Sequence, residues 1–113
     1  RKNMVEKRTN ERVNPPEGSS VLNQMNNKKM GRIIDISANG FLMAGRSTIN
    51  PGMIFQLALQ INVEPVVTLI VGAECIWSDV QTSGLTFAGF QIIDLSTSGQ
   101  TELDQVIQQL TGH

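Results

Sequence analysis

From Met53 to Ile61 the chain alternates with a period of two. Met53, Phe55, Leu57, Leu59 and Ile61 share one face, while Gln56, Ala58 and Gln60 share the other. Successive side chains of an extended strand point to opposite sides, so this is the pattern of a sheet with one buried face. Asn62-Val63-Glu64-Pro65 turns the chain, and a longer alternating run follows from Val66 to about Ser78. In that run Val67, Leu69, Val71, Ala73, Cys75 and Trp77 keep one phase, with Gly72 placed for a bend or bulge midway. Long strands joined by short turns pair antiparallel.

Shorter strands flank this pair. Ser19 to Met25, Met30 to Ser37, Phe41 to Ala44 and Leu85 to Asp94 each read as extended. They are separated by the turn Asn26-Asn27-Lys28-Lys29, by Ala38-Asn39-Gly40, by the loop Gly45 to Gly52 and by the polar connection Asp79 to Gly84. About six strands in 113 residues close most easily into a small barrel, since closure removes exposed sheet edges. Leu103, Val106, Ile107 and Leu110 then recur at helical spacing, which predicts an amphipathic helix over about 101–111. Thr101 with Asp104 resembles a capping box, and Ser98 is the alternative cap. A helix this short needs packing, across one end of the barrel or on a partner. The expected fold is all-β, a six-stranded antiparallel barrel over residues 19–113 with that C-terminal helix. Residues 1–18 are polar and end in Asn14-Pro15-Pro16-Glu17-Gly18, which reads as a flexible arm.

Charge narrows the range of functions. Net charge is only −1, but all nine Lys and Arg lie at or before Arg46, five of them between Arg1 and Arg12. That is too little for the broad basic face of a nucleic-acid binder, yet enough to hold one small anion. On composition alone the first residues read as a solvated segment. No apolar run is long enough to span a bilayer, and no signal-peptide pattern is present. One cysteine, Cys75, forms no internal disulfide, so a reducing, cytoplasmic compartment is expected, and Cys75 reads as a buried inert thiol. One His and one Cys exclude a zinc cluster. The first residue is not Met, which leaves room for a missing partner domain.

The stretch Arg32 to Gly40, RIIDISANG, carries the chemistry. Alternation places Asp35 and Ser37 on one face, with Ile34 and Ile36 on the other. Asn39-Gly40 follows, a dipeptide that tolerates positive φ and makes hairpin turns. Upstream, Arg8 and Arg12 share a face whether their segment is helical or extended, so both guanidinium groups can approach one ligand. The bland alternative is an exposed strand face beside a solvated arm, and Trp77 reads as core or rim packing.

Arg8-x-x-x-Arg12 followed by Asp35-x-Ser37-x-x-Gly40 resembles the two-part signature of PilZ domains. Ala73-Glu74-Cys75-Ile76-Trp77 is similar to a strand that in this family often ends in Trp. Gly89 to Ser96 is similar to its last strand before the helix. The resemblance covers nearly the whole chain. It implies a six-stranded split barrel that binds the second messenger cyclic di-GMP, without catalysis and without a cofactor. It also implies a cytoplasmic, bacterial receptor, its arginine arm closing over the ligand and its signal passing to a downstream protein or partner domain, with a homodimer also open. The alternative is a PilZ-like interaction domain that takes no ligand. The chain departs from the usual pattern at Glu11, where many members have an aromatic or apolar residue, and at Lys7, where another arginine is common.

The implied site is Arg8, Arg12, Asp35, Ser37, Asn39 and Gly40, extended by Lys7, Arg46 and Gly89. Arginine offers a planar fork for phosphate oxygens and a flat face for a purine. Guanine presents N7 and O6 as acceptors to such a fork. Asp35 can accept from the guanine N1–H and amino group. Ser37 can donate or accept, Asn39 can read a base edge or hold the turn, and Gly40 leaves room. No nucleophile–base pair and no Walker-type glycine loop suggests an enzyme.

Overall fold

The structure, a computed structural model, describes residues 11–112. Six strands and one helix follow in order: β1 (Ser20–Asn23), β2 (Lys28–Ile36), β3 (Gly40–Gly45), β4 (Ile54–Ile61), β5 (Val67–Val80), β6 (Thr86–Asp94) and α1 (Thr97–Leu110). All pairings are antiparallel, and the sheet closes into a barrel in the order β1-β2-β3-β6-β5-β4. The barrel is thus two three-stranded meanders, β1–β3 and β4–β6, joined edge to edge by β3 with β6 and by β1 with β4. This is the all-β barrel with a C-terminal helix that the pattern predicts.

The alternating run of β4 holds in its second half, whereas Met53 precedes the strand and is exposed, and Ala58 of the other face is buried too. Leu57, Leu59 and Ile61 are buried in the barrel, and β4 pairs with β5 without a break from Ile54 opposite Glu74 to Ile61 opposite Val67. Val71, Ala73 and Cys75 of β5 are buried as well. Phe41 and Phe90 stack at 5.0 Å between ring centroids, with Phe55 edge-on to Phe90 at 6.0 Å. Such pairs contribute about 0.5–1.5 kcal/mol beyond their buried area and fix the contact between the two meanders.

Trp77 does not keep the phase of β5. The register slips between Cys75 and Trp77, so that Cys75 faces Phe90 while Trp77 faces Gly89. Ile76 is the extra residue of a β-bulge, and everything after it changes side. Trp77 therefore stands on the outer surface, 46% exposed. A second slip at Gly72/Ala73 lies where Gly72 suggested one.

A bulge also corrects the reading of β2. Ile33 pairs with Met43, but Asp35 pairs with Leu42, leaving Ile34 as the extra residue. Ile33 and Ile36 are the buried pair, whereas Ile34 and Asp35 are only half-buried. Ile34 and Ile36 do not share a face, and Ser37, just past the end of β2, is buried where Asp35 is only half-buried.

The helix begins before the expected position near residue 101. Ser96, not Thr101 or Ser98, is the N-cap: its Oγ accepts from the Gly99 amide at 3.0 Å. The Thr101 hydroxyl instead donates to the Thr97 carbonyl within the helix. Leu103, Val106 and Ile107 are buried in the same core as the barrel residues. Burying three such side chains stabilises by roughly 1.5–3 kcal/mol each, against about 1 kcal/mol for a cap, so packing holds the helix in place. Among the described residues, no helix is long and apolar enough to cross a membrane.

Residues 13–18 are fastened to the barrel, which shortens the arm expected over 1–18. Val13 is buried and exchanges both backbone hydrogen bonds with Ile36, each 2.9 Å. The Asn14 side-chain amide donates to the Ile34 carbonyl, and that of Asn62 donates to the Glu17 carbonyl. Buried Ser19 donates to the Pro16 carbonyl and accepts from the Asn62 amide. Proline keeps this stretch out of regular structure without detaching it.

Candidate functional site

The bridge between Val13 and Ile36 sets the site, because it lays Arg12 beside Asp35. The Nε of Arg12 donates to Oδ1 of Asp35 at 2.9 Å, and Nη2 lies 2.9 Å from the same oxygen as an ion pair. The Arg12 side chain is 50% exposed and that of Asp35 23%. An ion pair this open contributes at most about 1 kcal/mol to stability, so its main effect is to orient the guanidinium. A fork gripped on its Nε–Nη2 edge still presents its Nη1 donors and its flat faces to a ligand.

Next to this pair lies the turn Ser37 to Gly40. Ser37 is 2% exposed. Its amide donates to the Gly40 carbonyl at 2.8 Å, and its hydroxyl accepts from the Asn39 amide at 3.2 Å. Ser37 thus builds the turn from inside rather than lining an outer face with Asp35. Asn39 is exposed at the tip, and its carbonyl accepts from the Ile92 amide at 2.8 Å, which pins the turn to β6. Neither Asn39 nor Gly40 adopts a positive φ, contrary to the usual reason for that dipeptide. Gly40 is needed for closeness: a Cβ there would lie 2.2 Å from the Phe90 carbonyl oxygen.

Pairing registers extend the site sideways. Asp35 lies opposite Leu42, Leu42 opposite Gly89, and Gly89 opposite Trp77. Directly paired residues share a face, so these four form one row across the outside of β2, β3, β6 and β5. At about 4.8 Å per strand the row is roughly 14 Å long. Gly89 is the low point, since a Cβ there would lie 2.2 Å from the Trp77 indole nitrogen. The row has a carboxylate–guanidinium pair at one end, half-buried Leu42 in the middle, and the Trp77 indole lying over Gly89 at the other end.

The structure brings together Arg12, Asp35, Ser37, Asn39, Gly40 and, along the row, Gly89. Arg8 and Lys7 lie outside the described residues. Arg46 is not at this site: it follows the far end of β3, roughly 20 Å from Gly40 by strand length, and its Nη1 donates to the Ser83 carbonyl at 3.0 Å. Leu42 and Trp77 are the residues that the sequence reading missed. The signal for Trp77 is a bulge, which depends on the partner strand.

Comparison with known proteins agrees with this architecture. The protein-family model described as PilZ domain matches residues 6–109. Among solved structures, the PilZ domain with c-di-GMP of YcgR from Escherichia coli superposes with a TM-score of 0.65 at 16% identity, covering 90% of this chain and 89% of that one. The Bacillus subtilis inhibitor of motility, MotI/DgrA, superposes with a TM-score of 0.69 at 16% identity, covering 91% of this chain and 52% of that one. This chain therefore spans about half the length of that second protein. A comparison with curated proteins returns no match.

Proposed function

Because this chain belongs to the PilZ domain family, we propose that it is a receptor for cyclic di-GMP that works by binding rather than by catalysis. The observation that carries the reading is the meeting of Arg12 and Asp35. They are 23 residues apart in sequence and are placed at hydrogen-bond distance on the outer wall, beside the Ser37–Gly40 turn. The YcgR domain named above, which shares the fold, is described with the same ligand.

In this reading Arg12, steered by Asp35, grips a ligand phosphate or the N7/O6 edge of a guanine. Arg8, with Lys7 beside it, supplies the second cationic grip from the arm, which closes over the bound ligand. Asp35 has two tasks: it holds Arg12 and offers carboxylate oxygens to the guanine N1–H and amino group. Asn39 presents its side chain from the tip of a turn that Ser37 holds rigid. Gly40 lets β3 approach β6, Gly89 lets the Trp77 indole lie against the sheet, and that indole gives a flat wall for a base. Each charge-assisted hydrogen bond contributes roughly 1.5–3 kcal/mol. Four of them, less the cost of ordering the arm, reach the −8 kcal/mol or so of micromolar binding. Closure of the arm is the signal handed to a downstream partner in a bacterial cytoplasm.

Titration calorimetry with cyclic di-GMP tests this directly. The expected result is saturable micromolar binding that weakens with salt and falls tenfold or more in Arg8→Ala and in Arg12→Ala. No heat at high micromolar ligand overturns it and favours the ligand-free interaction domain.

A further inference from the structure

A second basic surface lies at the other end of the same hairpin. Lys29, Arg32 and Arg46 rim an open groove of about 300 Å³ whose floor is Gly31, Ala44 and Gly45. All three cations are exposed. Among the described residues the one ion pair within 4 Å is Arg12 with Asp35, so none of the three is neutralised by a carboxylate. Arg46 is held in place by the Ser83 carbonyl, which fixes one wall. Three like charges gathered on a concave surface repel one another, and an incoming anion relieves that repulsion.

The carboxylates nearest the groove stand off from it. Asp79 lies in the same outer row, with Arg32 opposite Ala44, Ala44 opposite Phe87 and Phe87 opposite Asp79, which places it roughly 14 Å from Arg32. Asp35, three residues along β2 from Arg32, is paired with Arg12. Asp79 is thus more than one Debye length from Arg32 at physiological salt.

The geometry points to docking of an acidic segment of a partner protein in this groove. Magnitudes select the occupant. An exposed ion pair contributes at most about 1 kcal/mol, so three of them hold a lone phosphate only at millimolar strength. A peptide segment with several carboxylates meets all three cations at once and excludes water from the ion pairs, which strengthens them. Four basic residues on this wall fall short of a nucleic-acid face. The surface shares β2 with Asp35 but does not depend on cyclic di-GMP being the ligand there.

The test is fluorescence anisotropy of the whole chain with a labelled peptide of alternating Glu and Ala, against a matched peptide of Lys and Ala. The Glu peptide should bind saturably and weaken with salt, and the Lys peptide should not bind. Arg32→Glu should weaken binding about tenfold or more, because it places like charge in the groove. Lys28→Glu, an equal change in net charge just outside the rim, should stay within about twofold. Equal losses in the two variants reduce the effect to net charge and overturn the proposal, as does absence of binding. Displacement of the peptide by micromolar inorganic pyrophosphate replaces it with a small-anion site. Tighter, Arg32-dependent binding to phosphatidylglycerol vesicles replaces it with a membrane surface. Cyclic di-GMP titration of Arg32→Glu should match the parent. A chain that binds the Glu peptide but no dinucleotide keeps this inference while the receptor reading falls.

Discussion

The barrel has a regular side and an irregular one. Along β4 and β5 the pairing runs from Ile54 opposite Glu74 to Ile61 opposite Val67 without a slip, and the inward residues are a plain aliphatic series. Around β2, β3, β6 and the far half of β5 the register breaks at Ile34, at Ile76 and at Gly72/Ala73, and β2 slips again against β1 at Val21/Leu22. The regular side supplies core. The irregular side carries the proposed site, because the bulges at Ile34 and Ile76 turn side chains out of the phase that alternation alone would give them. Asp35 and Trp77 are positioned in this way at opposite ends of one row.

The contrast is open to direct attack, beginning where the largest effect is expected. Leu57→Ala, on the regular side, should cost about 2–5 kcal/mol of stability by urea unfolding, as a buried leucine does when a cavity is left. Cyclic di-GMP affinity of the folded fraction should be unchanged. If affinity drops with stability, the two sides are not separable.

On the irregular side Gly89→Val puts side-chain atoms where the Trp77 indole lies. The indole must swing into solvent, with a red shift in Trp77 fluorescence and a stability cost of about 1–3 kcal/mol. An unshifted spectrum would mean that the row from Asp35 to Trp77 is not packed as described. Arg12→Ala should reverse the pattern of Leu57→Ala. It should change stability by less than about 1 kcal/mol and weaken ligand binding tenfold or more.

A finer effect concerns Asp35. Since it holds Arg12, the losses in ligand affinity from Asp35→Asn and Arg12→Ala should not add; a double-mutant cycle should show coupling of about 0.5 kcal/mol or more. Strict additivity would leave Asp35 with base reading alone. Asp35→Asn should also narrow the preference for cyclic di-GMP over cyclic di-AMP.

The smallest effect belongs to Cys75, whose thiol is pushed up from its ordinary 9.0 by burial. The folded state then keeps a proton that the unfolded chain loses, so this contribution is complete below the ordinary thiol range and is lost as pH rises through the raised value. Urea midpoints of Cys75→Ala should fall less above pH 9 or so than those of the parent.

Much of this was legible in the residues. The strand runs, the barrel, the helical stripe Leu103–Val106–Ile107–Leu110 and the pairing of Arg12 with Asp35 as parts of one site can be read because each rests on local spacing or on a compact motif. The helix start was misplaced because several hydroxyl residues compete for the cap, and the docked position of Leu103 and its neighbours selects Ser96. Ser37 was expected to be exposed because alternation gives a side and not a depth, and Ser37 is covered in the turn that follows β2. Arg46 was drawn into the site because sequence order gives no distance along a hairpin.

What the sequence determined by itself is the period of two, the composition of the core and the chemistry available near Asp35. Those depend on which residues neighbour one another along the chain. Only the tertiary structure decided which way Asp35 and Trp77 face, that Ser37 is buried, and that residues 13–18 are tied down. A bulge is a mismatch between two strands, and a strap is a contact across more than 20 residues, as from Val13 to Ile36. Neither is a property of any single stretch, so neither leaves a local pattern to be read.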